Sequence, residues 1–381
     1  MDPLTSKNII RLPAELKYRK ELMALKQNDT YPKPPGWFLS PTMVELYVLG
    51  SNKQFSLTTN GKTEKVSITP KFFGSKDLIQ KSIVTLASRR ALMLIGEPGT
   101  GKSWLSEHLA AAISGKSTNL IQGTAGTTED QIRYTWNYAL LIAEGPSEQA
   151  LVPSPTMIAM REGQLLRLEE LTRCPQEIQD TLISVLSEKV LPVPELGKDY
   201  YVTANQGFNV IATANDRDRG VNEMSAALKR RFNFIYIPVI NDPKIERQIV
   251  ETRVQDMMET LNFKIQIPDH IYSLVTTSFR ELRNGKSKQG QSFKKISSVM
   301  STSEEISLLF DSCIHTQYFG KQKITPREIA LHLSETIVKD DPQNIHKLQE
   351  YLDLVLSNRA RKDEIWKEFH RELKKQLKLI R

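Results

Sequence analysis

The chain has 381 residues, enough for two or three domains, and is 39% hydrophobic and 25% charged with a mean hydropathy of −0.38; no apolar run approaches the roughly 18–20 residues of a membrane span. Cys174 and Cys313 lie too far apart in sequence to suggest a disulfide framework or a zinc site, which favours a reducing compartment, and MDPLTSKNIIRLPAELKYRK lacks the charged-then-apolar order of a signal peptide, so the cytoplasm is expected. The formal charge of +8 permits contact with nucleic acid, but the basic residues are scattered and nucleic acid is not the expected partner.

Four regions follow in chain order. Residues 1–70 form an extension. Ser40 has the character of a helix cap, with Pro41 at the first helical position. FSLTTNGKTEKVSIT reads as a β-hairpin turning at Asn60-Gly61. Residues 71–240 alternate strand and helix patterns. ALMLIG, NLIQGT, QLLRLEE, FNVIATAN and NFIYIPV are short apolar runs separated by helical stretches. That alternation predicts an α/β fold with a parallel sheet covered on both faces. Residues 241–340 turn helical, with capping-box spacing at Ser301/Glu304 and Thr325/Glu328. Residues 341–381 predict one long helix or a helix pair. Its apolar stripe of Trp366, Phe369, Leu373, Leu377 and Ile380 is expected to dock on its own subunit.

GEPGTGKS, Gly96 to Ser103, fits the phosphate-loop pattern G-x-x-x-x-G-K-[ST]. It follows an apolar strand and opens a helical stretch, as the motif requires. Backbone N–H groups must close around phosphate oxygens there, and a Cβ would obstruct them. The helix starting near Lys102 adds its dipole. Lys102 is expected to reach the β- and γ-phosphates of ATP, and Ser103 to ligate Mg2+. Glu97, Pro98, Gly99, Thr100, Gly101 and Trp104 complete the expected nucleotide contacts, with Phe73 and Gly74 at the start of the core.

GQLLRLEELTRCP supplies a second half-site. In open α/β sheets ligands sit at the carboxyl ends of the strands, where this run places Glu169 and Glu170. Adjacent carboxylates there can divide the labour: Glu169 on the metal side, Glu170 as the base for the attacking water. A solvated pair beginning the next helix is the alternative. FNVIATAN then brings a polar amide, Asn215, to another strand tip. ALKRRF follows, and Arg230 or Arg231 can project into a neighbouring subunit's nucleotide.

This order of motifs resembles the AAA+ ATPases, and within them the MoxR family, over about residues 70–340. QGTAGTTEDQIRYTWNYALLIAEGPSEQALVPSPTMIAMREG resembles that group's insert in the second helix, and VLPVPELGKDYYVTANQGFNV its hairpin before the asparagine strand. The resemblance implies an αβα nucleotide-binding core with a helical lid and a ring, usually hexameric, with ATP at each subunit junction. It also implies chaperone-like remodelling of client proteins, including von Willebrand A-domain proteins. Lys102 and Ser103 match Walker A, Glu169 and Glu170 Walker B, and Asn215 sensor 1. Arg231 matches the arginine finger, with Arg230 as alternate. Two departures stand out. Walker B reads Glu-Glu where Asp-Glu is usual, and Ser303 stands where a second-sensor arginine is expected; Arg327 fits a helix-capping role better than that of a substitute. Two other functions compete with the remodelling ATPase. A DNA motor would need a basic pore, and the hairpin offers only Lys198. A nucleotide-assembled scaffold would hydrolyse weakly.

Overall fold

The computed structural model describes residues 9–216, 222–296, 300–320, 323–338, 341 and 343–380. The opening residues of the N-terminal stretch and the Ile380 side chain of the apolar stripe lie outside the described set. The chain folds as two compact units, the first ending at Pro238 and the second beginning at Val239, with Pro98–Thr100 grouped with the second.

The first unit is built on a five-stranded sheet. Its strands are β1 (Ala91–Gly96), β2 (Leu120–Gln122), β3 (Leu165–Glu169), β4 (Asn209–Asn215) and β5 (Phe232–Tyr236), in the spatial order β5-β1-β4-β3-β2. Every pairing is parallel. Side chains alternate between faces along a strand, and both faces are covered. Leu92, Leu94, Leu165 and Ile211 pack into one core together with Leu105 and Leu109 of the phosphate-loop helix, Lys102–Ser114. Met93, Leu166, Leu168, Val210 and Ala212 enter the core on the other side. This two-faced burial explains why these strands read as near-continuous apolar runs.

Much of the extension is a brace on the phosphate-loop helix. Trp37, Leu39, Tyr47 and Val48 join the same core as Leu105 and Leu109. Glu107 of that helix accepts the Ala14 N–H at 3.1 Å and pairs with Arg11. The Tyr47 hydroxyl and His108 Nδ1 lie 3.0 Å apart, and the Phe38 N–H donates to the Ile113 carbonyl at 2.6 Å. The hairpin forms Ser51–Thr59 against Lys62–Ile68 and turns at Asn60 and Gly61, both at positive φ. Ser40 caps the Pro41–Leu49 helix by accepting the Met43 N–H.

The stretch resembling a helix-two insert folds as strands Tyr134–Trp136 and Leu151–Pro153 around a short helix, Tyr138–Glu144. The hairpin that follows β3 pairs Val190–Pro192 with Tyr201–Thr203. The two are tied together: the Tyr134 hydroxyl donates to Glu195 at 2.7 Å and the Tyr200 hydroxyl to Glu148 at 2.8 Å. Arg133 donates to the Pro192 carbonyl at 2.8 Å. These bonds join the insert and the hairpin.

The second unit is helical. Its core joins Val250 and Val254, Leu274 and Phe279, Leu308 and Leu309, and Leu333. The chain end forms a helix pair: Gln343–Tyr351 runs on through a π-turn to Ala360, and Glu364–Ile380 follows. Phe369, Leu373 and Leu377 are fully buried in this core, so the stripe docks on its own unit. Three helices of the unit enclose a carboxyl cluster. Glu246, buried, holds Arg280 and Arg283 at 3.0 and 2.7 Å and accepts from Thr302 at 3.2 Å. Glu305 accepts from Thr276 at 2.6 Å, while its Oε2 has no hydrogen-bond partner among the described residues. Burial first, and the Glu246 charge second, push the Glu305 carboxyl up from 4.5 to about 8, against the opposing pull of Thr276, Arg283 and Arg280. The proton is therefore held more tightly in the folded chain than in the unfolded one. The contribution is fully present below pH 4.5 and is lost as pH rises towards about 8. Glu305→Gln is expected to remove this part of the slope and to be more stable than wild type above pH 8, read as the urea midpoint against pH.

Candidate active site

The site forms at the carboxyl ends of β1, β3 and β4. β1 ends at Gly96, and the loop turns through Gly99 (φ 76°) and Gly101 (φ 85°), left-handed positions that only glycine occupies without strain. A Cβ on Gly101 would also meet the Phe72 ring at 3.4 Å. The Lys102–Ser114 helix carries no side-chain cap at its start, whereas Ser40, Ser75 and Ser154 each cap theirs. A helix start without a side-chain cap, with its dipole, suits an anion. Lys102 is buried, and its ammonium donates to the Gly96 and Glu97 carbonyls at 2.9 and 2.8 Å.

Glu169 occupies the centre and is 3% exposed. Its Oε2 accepts the Ser103 hydroxyl at 2.6 Å and the Thr213 hydroxyl at 2.8 Å. Its Oε1 accepts the Ser106 hydroxyl at 2.5 Å and the Arg167 guanidinium at 3.0 Å. Arg167, 6% exposed, also donates to the Ser106 hydroxyl at 3.0 Å and to the Ser103 and Ser117 carbonyls at 3.1 Å each. Ser103 and Glu169 thus converge as hard oxygen donors, the chemistry a magnesium ion takes. These residues fit Mg2+, with Ser103 as ligand and Glu169 behind it.

Glu170 turns left-handed, at φ 55° and ψ 43°, which swings its side chain off the strand direction. Its N–H donates to the Thr213 hydroxyl at 3.0 Å, so Thr213 joins the two glutamates. Its carboxylate, half-buried, pairs with Arg173 at 2.5 Å. Asn215 ends β4 directly beside Gly96 in the parallel register. Sequence reasoning therefore brought Gly96, Lys102, Ser103, Glu169, Glu170 and Asn215 to one place.

Other expected residues sit at the margins. The Trp104 indole donates to the Lys71 carbonyl at 2.7 Å, just past the extension, and packs on His108 of its own helix. Phe73 is half-buried and Gly74 exposed; it is the neighbouring Phe72 ring that lies against Gly101. Arg231 is engaged within its own chain, donating to Ser187 at 2.5 Å and to the Ala227 carbonyl, while Arg230 is exposed. In the second unit, Ser301 and Glu304 close a capping box at the start of the Thr302–Phe319 helix, and Ser303 lies in its first turn. Thr325 and Glu328 bond each other ahead of the Pro326–Val338 helix, where the Arg327 N–H lies 3.3 Å from the Thr325 hydroxyl. Arg167, Ser106 and Thr213 were missed. Arg167 carried a readable signal, because a charge inside a run buried on both faces needs a partner, and residue i+2 shares its face.

Strand order, phosphate loop and paired carboxylates define the class as an AAA+ nucleotide-binding core. The family model for the AAA domain (dynein-related subfamily) matches residues 91–232, and the YehL-like AAA+ ATPase C-terminal domain matches residues 244–378. The Escherichia coli K12 protein YehL is 43% identical over 345 residues, 90% of this chain and 91% of that one. The chain belongs to the YehL-like AAA+ ATPases. A Staphylococcus aureus protein is 27% identical over 209 residues, 55% of this chain and 73% of that one. NtrX from Brucella abortus in complex with ATP is similar at 14% identity and a TM-score of 0.46, covering 79% of this chain and 67% of that one. Among the described residues no helix is long and apolar enough to cross a membrane.

Thr213→Val keeps shape and removes the hydroxyl shared by Glu169 and Glu170. It is expected to cost about 1–3 kcal/mol, the range for orphaned buried polar partners. Chemical unfolding measures it, and Thr213→Ser should restore most of the loss.

Proposed function

We propose that the chain is a MoxR-type AAA+ ATPase, cytoplasmic, that binds ATP with Mg2+ and hydrolyses it at the subunit junctions of a homo-oligomeric, hexameric ring. The energy serves to remodel or activate partner proteins, von Willebrand A-domain proteins among the candidate clients. The observation that carries this reading is the connected set Ser103–Glu169–Thr213–Glu170, at the end of the phosphate loop and beside Asn215. A bound magnesium ion would offset phosphate charge. Glu170 polarises water for in-line attack on the γ-phosphorus, Asn215 places it, and Lys102 stabilises the developing negative charge. The departure at Walker B is compatible with this chemistry, because the longer Glu169 arm still reaches Ser103.

An arginine from the adjacent subunit completes the site. Arg231 is held by its own subunit and Arg230 is exposed, so Arg230 becomes the stronger candidate for the finger. A second-sensor role falls to neither Arg280 nor Arg283, since Glu246 holds both. The joined insert and hairpin present Tyr138, Ile142 and Tyr201 to solvent, a surface suited to protein rather than nucleic acid.

Three outcomes are expected from phosphate-release assays. Glu170→Gln loses turnover by about 10²–10⁴-fold while retaining ATP, and Glu169→Asp stays active. Specific activity rises with protein concentration, because a finger supplied in trans is worth about 10³–10⁵ in rate. Arg230→Ala abolishes that rise; turnover by a dilute monomer equal to that of the assembled protein would rule out the shared site.

A further inference from the structure

Arg167 stands directly behind both groups assigned to the metal. Its guanidinium bonds the Glu169 carboxylate at 3.0 Å and the Ser103 carbonyl at 3.1 Å, and through Nε it holds the Ser106 hydroxyl that also reaches Glu169. Arg167 and Glu169 are both more than nine-tenths buried, two residues apart on the same face of β3. The pair is therefore close to neutral as a unit before any ligand arrives. A lone Walker B carboxylate has the opposite electrostatics: it repels a polyphosphate that comes without its cation and attracts the cation strongly.

We infer that Arg167 is a positioning residue that neutralises the metal-side carboxylate, so that this site captures nucleoside di- and triphosphates with little dependence on magnesium. The inference rests on the nucleotide reading above and adds which form of the ligand is taken. Its bonds to Glu169, Ser103 and Ser106 make it act through the charge and orientation of Glu169. The Lys102 ammonium and the uncapped helix start then supply the attraction for the phosphates.

The test is ADP affinity by titration calorimetry, in excess Mg2+ and in EDTA, which needs no turnover. For the wild type, the two affinities are expected to lie within about tenfold of each other. In Arg167→Leu the bare Glu169 charge lowers the EDTA affinity, and the ratio widens by about another tenfold. Arg167→Lys keeps the charge, so its ratio stays near wild type even where packing suffers. Glu169→Gln should narrow the ratio below that of wild type, and it serves where Arg167→Leu does not fold. A merely structural Arg167 would weaken both affinities together and leave the ratio unchanged, which overturns the inference. A wild-type loss of about a hundredfold or more in EDTA overturns it as well. If wild-type ADP binding is absent in both conditions, the nucleotide reading falls and takes this inference with it.

Discussion

A carboxylate buried beside a parallel sheet must be matched by donors, and the first unit is organised around matching Glu169. Its donors come from three elements: Ser103 and Ser106 from the phosphate-loop helix, Arg167 from its own strand and Thr213 from the next. Ser103 and Ser106 of the helix bond the buried Glu169 and Arg167 of the strand, and leaving such a buried polar group without its partner costs about 1–3 kcal/mol, more for a charged one. That penalty fixes how the helix sits on the sheet more tightly than apolar contacts alone, which tolerate sliding. The fixed helix then holds Lys102 at the strand ends, where Asn215 ends β4 beside Gly96. The same carboxylate thus sets the architecture and supplies the hard oxygen chemistry that the proposed Mg2+ site needs.

The extension adds a second restraint from the opposite side. Ala110, Ala111 and Ala112 of the loop helix are fully buried, so small side chains let other elements approach it closely. Tyr47, Arg11 and the Ala14 N–H then engage His108 and Glu107. Trp104, directly after Ser103, bonds the Lys71 carbonyl. The helix that must present its N–H groups to phosphate is gripped by the sheet on one side and by the extension on the other. Electrostatic stabilisation works best from groups that need not reorganise, and this double grip supplies that rigidity.

The sequence made the local features legible. Strands buried on both faces show as apolar runs, Asn60-Gly61 shows as a turn, and Ser301 with Glu304 shows as a cap, because each signal lies within a few residues. The phosphate loop was legible for the same reason. What stayed hidden was pairing across long separations. Thr213 meets Glu169 across 44 residues and Ser106 meets it across 63, and no periodicity announces either. Phe72, and not Phe73, lies against Gly101, a distinction set by the direction of one extended stretch. Arg167 is legible in principle, as a charge inside an apolar strand run. Glu305 gave no sign of its burial, since Ser-Glu-Glu at a helix start reads as a solvated first turn.

The central claim is that water, directed by Glu170, attacks the γ-phosphorus of ATP at this site. The most direct test is hydrolysis of ATP by the purified chain in oxygen-18 water, with the products weighed by mass spectrometry. The account predicts phosphate carrying one solvent oxygen per turnover, ADP carrying none, and no labelled phosphate from Glu170→Gln. Solvent oxygen in the ADP, or labelled phosphate formed at the wild-type rate by Glu170→Gln, would contradict it.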